Sequence, residues 1–189
     1  MQINGLHHVT AISGPARRNL DFYARVLGLR LVKKTVNFDD PGTYHLYYGD
    51  EQGRPGTILT FFPWEHAAPG HLGVGETQET AFRIPAAAVG YWTHRLLEKG
   101  VTHGAPEKRF GDTVLPFTDP DGMRFALVGV PGAEHETGRS SGEIPAEHAG
   151  EKIEVAAGAA RNGGHMMNSG HRPFPLQQPR RRARYIGCG

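Results

Sequence analysis

Residues 29–62, LRLVKKTVNFDDPGTYHLYYGDEQGRPGTILTFF, carry three β-rich runs: Leu29–Phe38, Thr43–Tyr48 and Thr57–Phe62. Asp39-Asp40-Pro41-Gly42 and Gly53-Arg54-Pro55-Gly56 separate them, and both are good turn sequences. Upstream, Ala16, Leu20, Tyr23, Ala24 and Leu27 recur at helical spacing. Ser13-Gly14-Pro15 leads into that helix and Gly28 stops it. Further back, Ile3–Ile12 reads as a short strand. The order is strand, helix, strand, strand, strand.

Downstream the order repeats. Thr77–Ile84 reads as a strand, and Ala86–Lys99 as a helix with Val89, Trp92 and Leu96 on one face, closed by Gly100. A short Val101-Thr102 segment follows, then Asp112–Thr118 and Met123–Val128 around the turn Asp119-Pro120-Asp121-Gly122. Laid over one another at His8/Thr80 and Thr60/Ala126, the copies share layout and little identity. The fold class expected is α+β: two tandem βαβββ units, residues 3–64 and 77–129, within a domain of residues 1–130. A lone unit leaves a sheet face bare, so the two are expected to bend into one curved mixed-sheet cup with the helices outside. The inside of such a cup suits a small ligand.

Residues 131–149 are rich in Gly, Glu and Ser and read as a linker. Residues 150–189 lack a sustained apolar period and read as a disordered tail. The change of composition is abrupt enough that translation out of frame from about Gly150 is the expectation. The formal charge of +2 hides an asymmetry: residues 1–149 carry −3 and residues 150–189 carry +5. The basic run Arg180-Arg181-Arg182 has no binding fold around it, so no nucleic-acid partner is expected. No segment reaches the roughly 20 apolar residues of a membrane helix. With a single cysteine, Cys188, and no signal-peptide layout, the chain reads as cytosolic.

Parity on the first strand sets Leu6, His8, Thr10 and Ile12 against His7, Val9 and Ala11. Val9 and Ala11 suit the floor under the helix, which turns His8 and Thr10 into the cup. A lone strand His is more often structural than a ligand. In Tyr44-His45-Leu46-Tyr47-Tyr48, Tyr44 and Tyr48 are candidates to line an aromatic pocket, although strands favour Tyr for packing alone. None of the other histidines makes a metal-spaced pair. No nucleophile elbow, P-loop or dinucleotide fingerprint is present.

GLHHVTAI (5–12), KKTVNFDDPGTYHLYYGD (33–50) and GRPGTILTFFPW (53–64) resemble the vicinal oxygen chelate superfamily of glyoxalases, bleomycin-resistance proteins and dioxygenases. Within it they are most similar to the N-terminal half of ring-cleaving, hydroquinone-type dioxygenases. The resemblance covers about Ile3–His148. It implies an aromatic diol and O2 as substrates, and Fe(II), with Mn(II) as the alternative, held by two His and one carboxylate. His8 matches the first-strand metal ligand; Thr10 and His7 match positions beside the metal.

The chain departs from that pattern in having two units where the family has four. The equivalent last-strand carboxylate positions fall on Thr60 and Ala126, and the second first-strand position on Thr80. Glu79, one residue over, is expected on the opposite face. Only one of three protein ligands is then present, so the metal is not expected to be retained by this chain alone. A homodimer would bring a second His8 without a carboxylate; a separate C-terminal half would supply both missing groups. The alternative function is a metal-free small-molecule-binding module of the bleomycin-resistance type.

Overall fold

The computed structural model describes residues 7–50, 52–68, 70, 77–133 and 143–149, with the backbone of 152–156. The strand start at Ile3–Leu6, linker residues 134–142, and the tail beyond 156 with Cys188 and the arginine run lie outside the described residues.

The first unit is β1 (His8–Ser13), α1 (Ala16–Leu20, continuing as a π-helical segment Asp21–Val26), β2 (Arg30–Val36), β3 (Tyr44–Gly49) and β4 (Ile58–Pro63). Its sheet runs β1-β4-β3-β2, with β1 parallel to β4 and the other pairs antiparallel. The second unit is β5 (Glu79–Pro85), a 3-10 turn at Ala86–Ala88, α2 (Val89–Glu98), β6 (Glu107–Arg109), β7 (Asp112–Thr118) and β8 (Arg124–Val130). Both helices stop where the sequence places glycine with positive φ, Gly28 at 73° and Gly100 at 66°. Val101-Thr102 forms no strand; that place in the layout is taken by β6.

The α+β class and the tandem βαβββ layout are as the sequence reads. Each unit forms its own sheet, and buried residues of both helices and of the helix-bearing side of both sheets share a single core. Tyr23 of α1 shows why. Its ring lies 4.5 Å from Phe61 in the first sheet and 5.9 Å from Phe125 in the second. The π-helical widening lets the adjacent Phe22 also point inward, with its ring 6.5 Å from that of Phe117. The buried Tyr23 hydroxyl donates to Asp119 at 2.7 Å. Arg95 of α2, 6% exposed, donates to the carbonyls of Arg25 and Val26 at 2.7 and 2.9 Å, closing the C-terminal end of the first helix. Apart from Tyr23 on Phe61, each of these contacts joins one unit to the other, so part of the apolar area that holds the fold together lies between the units.

Strand pairing corrects the overlay of the two copies. Thr10 sits opposite Thr60, and Ala81 opposite Ala126. His8 therefore corresponds to Glu79, not Thr80. Thr80 is fully buried, on the same parity as the core residues Phe82 and Ile84. Glu79 shares its face with Ala81, reversing the expected orientation.

The expectation that the fold ends near Val130 is also corrected. Ala133 and Ile144 are 3% and 2% exposed. The Trp92 indole donates to the His148 carbonyl at 2.7 Å, and Glu143 pairs with Lys99 and Arg95 at 2.8 and 3.2 Å. Lys152–Ala156 forms β9, antiparallel on the free side of β5, where a disordered tail was expected. A single isoleucine in a polar stretch gave no periodicity to detect, yet its burial anchors the segment. Ile144→Ala should cost about 2–5 kcal/mol, read as a lowered urea midpoint; a change near zero would place residues 143–149 outside the cooperative unit.

Candidate functional site

Because the helical faces meet, the opposite face of each sheet points away from the core. The first sheet turns out His8, Thr10 and Ile12 from β1, the last of these 53% exposed. Val9 and Ala11 pack on the core side, as parity predicts. Three hydrogen bonds tie the outward face together. The Tyr47 hydroxyl lies 2.9 Å from His45 Nδ1, His45 Nε2 lies 3.1 Å from Thr60 Oγ1, and Thr60 donates to Thr10 Oγ1 at 2.9 Å. Thr60 is fully buried although it is polar, and these bonds satisfy it. The His45 ring also packs 4.0 Å from Phe62, and the Lys33 ammonium stands 5.6 Å from the Tyr47 ring centroid.

His7 Nδ1 and His8 Nδ1 approach to 3.1 Å, with the rings edge to face. Partial burial, and then the neighbouring His7, lower the His8 pKa from its ordinary value. Burial, then His8 and Lys33, lower that of His45. Both imidazoles are therefore biased to the neutral form, the form that ligates a metal or accepts a hydrogen bond.

The tyrosine candidates need correction. Tyr48 is fully buried on the core side; its hydroxyl donates to Asn19 at 2.8 Å and its ring is 5.3 Å from Tyr23. Burial raises its pKa well above the ordinary value. Tyr44 shares that parity, is exposed, and carries the Lys34 ammonium 4.1 Å from its ring centroid. Neither faces His8. His45 and Tyr47 do, and sequence reasoning passed over them. The signal was Leu46: an aliphatic residue between two candidate faces marks its own parity, shared by Tyr44 and Tyr48, as the core side.

The second sheet's outward face is different in kind. Ala81, Val114, Ala126 and Val128 form a small apolar cluster. Glu79 is engaged with Arg109 at 2.7 Å, and Arg109 also holds Glu107 at 2.6 Å. Glu79 is thus paired, at the register position of the second sheet that corresponds to His8 in the first. Among the described residues, no group of three or more His, Cys, Asp or Glu side chains is placed to hold a metal ion. In the core, a cavity of ≈ 10 Å³ lined by Leu27, Leu29, Phe82, Ile84, Trp92 and Leu127 has no room for an aromatic ligand. No helix among the described residues is long and apolar enough to cross a membrane.

Residues 5–127 match the family model described as Glyoxalase/Bleomycin resistance protein/Dioxygenase superfamily. A Bacillus subtilis (strain 168) protein named as ring-cleaving dioxygenase MhqO is 52% identical over 124 residues, covering 66% of this chain and 39% of the relative. The chlorohydroquinone/hydroquinone 1,2-dioxygenase of Sphingobium indicum is 37% identical over 130 residues, covering 67% of this chain and 40% of the relative. A crystal structure of a B. subtilis protein named as a dioxygenase superposes with a TM-score of 0.73 at 46% identity, covering 79% of this chain and 47% of the other. The chain thus spans about two fifths of the length of these curated relatives.

For His8, the sign of the shift sets a pH dependence. A folded-state value below the unfolded one means that protonation works against folding. The penalty is absent above the ordinary His value and grows as pH falls through it. In His7→Gln, the His8 midpoint followed by NMR should move only part of the way back to that value, because burial is the larger cause. Full return would show that His7 alone sets it.

Proposed function

The chain belongs to the Glyoxalase/Bleomycin resistance protein/Dioxygenase superfamily, and we propose that it supplies the His8-bearing face of a ring-cleaving dioxygenase acting on an aromatic diol with O2. The observation that carries this reading is the placement of His8 and Thr10 together on an outward sheet face, where Thr10 is linked through Thr60 to His45 and Tyr47 by hydrogen bonds. The relatives' names, ring-cleaving and hydroquinone dioxygenases, indicate the reaction class; fold alone does not.

Such a reaction calls for Fe(II) or Mn(II) held by two imidazoles and a carboxylate, with positions open for the diol and O2. The described residues do not fit a complete centre. His8 offers one imidazole, and among the described residues no group of three or more His, Cys, Asp or Glu side chains is placed to complete a site. Three ligands bind far more tightly than one, because the fold meets the entropy of gathering them once. In this reading His8 presents a neutral ring nitrogen, while Thr10 and His7 orient the oxygen of the bound diol. The second imidazole and the carboxylate come from another polypeptide segment, on a partner chain or a C-terminal half. A homodimer adds a second His8 and leaves the acid missing. A second reading, a metal-free module that binds aromatic molecules, is favoured by the same incomplete donor set and by the hydrogen bonds that already satisfy the face.

Purified chain should therefore carry substoichiometric iron and manganese and consume no O2 with hydroquinone. Stoichiometric metal with O2 uptake would overturn the incomplete-centre reading. Hydroquinone binding by calorimetry without metal or turnover would favour the binding module.

A further inference from the structure

We propose that Tyr47, His45 and Thr60 form a hydrogen-bond relay that fixes the hydroxyl of Thr10 as a donor toward an oxyanion bound beside His8. The relay follows from counting protons. Thr60 Oγ1 carries one proton, and the relay assigns it to Thr10 Oγ1, 2.9 Å away. Its contact with His45 Nε2 at 3.1 Å then needs the hydrogen on the nitrogen. A neutral His45 protonated at Nε2 has a lone pair at Nδ1, and the Tyr47 hydroxyl lies 2.9 Å from it as the donor. All three bonds thus run one way, from Tyr47 through His45 and Thr60 to Thr10.

The consequence falls on Thr10. Its oxygen already accepts, so its own proton is turned to the exposed face it shares with His8. A ligand oxygen meeting Thr10 there meets a donor. An aryl oxide, which carries charge and only accepts, fits this polarity; an ether oxygen, uncharged, gains much less. Thr60 is well suited to the middle of the relay because it is fully buried and no solvent competes for its single proton. The Phe62 ring, 4.0 Å from that of His45, and Tyr47, 4.1 Å from it, hold the imidazole plane between them. Tyr47, His45 and Thr60 are on this account positioning residues that act through Thr10. The identity of the oxyanion as a diol oxygen rests on the dioxygenase reading; the polarity of the relay does not.

The test has two readouts on the chain as it exists. Long-range 15N–1H spectra report which His45 nitrogen carries the proton, and absorbance titration with 4-nitrophenolate reports the donor. The expected result is His45 protonated at Nε2, with a mixed tautomer in Thr60→Val and in Tyr47→Phe. Phenolate affinity should fall about tenfold in Thr10→Val and in Thr60→Val and return in Thr60→Ser. Tyr47→Phe, at the partly exposed end of the relay, keeps the test informative should Thr60→Val fail to fold. A wild-type His45 protonated at Nδ1, or a tautomer unmoved in Tyr47→Phe, would overturn the relay. The expected tautomer pattern with no phenolate binding would uphold the relay's polarity and count against the aromatic-diol reading of the face.

Discussion

Tyr23 sets the architecture. Its ring touches aromatic side chains of both sheets, and its hydroxyl reaches across to Asp119 in the second unit. A buried phenol must place both its apolar ring and its polar tip, and here it does both across the contact between the two units. Arg95 closes the same interface from the other helix, satisfying carbonyls that the end of α1 leaves open. Once these contacts form, the remaining sheet faces have no choice but to look outward.

That outward disposition decides what each face can be. Two sheets built on the same plan diverge at the paired positions in their first and last strands. Thr10 and Thr60 join through their hydroxyls in one; Ala81 and Ala126 meet as methyl groups in the other. A hydroxyl pair accepts further hydrogen bonds and can be linked to a histidine. An alanine pair offers only a smooth apolar patch, bordered here by the paired charges of Glu79 and Arg109. The chemistry therefore gathers on the first sheet for local reasons, independent of any ligand.

Much of this was legible in the sequence because it is written locally. Turn residues and glycine stops marked the strands and helices, and two-residue parity placed Val9 and Ala11 inward with His8 and Thr10 outward. What escaped was the detail of the contact between the units. Periodicity says that a helix covers one face of its sheet; it does not say whether the helix's other side meets solvent or a second sheet, and Phe22 and Tyr23 are neighbours that both turn inward only because of a π-helical segment. The overlay at Thr80 failed for a related reason: with little identity between the copies, only pairing registers fix which residues correspond. Tyr48 was misplaced and His45 and Tyr47 missed where Leu46 held the clue.

β1 has one long side paired to β4 and, among the described residues, no strand on the other, whereas β5 in the second unit is flanked by β8 and β9. Marginal strands breathe more readily than central ones. His8 consequently sits on an edge strand, while Thr60 and His45 are set on interior strands of the same sheet. A ligand gripped between them would have one firm jaw and one yielding jaw, and amide protection would rise mostly along the margin that carries the imidazole.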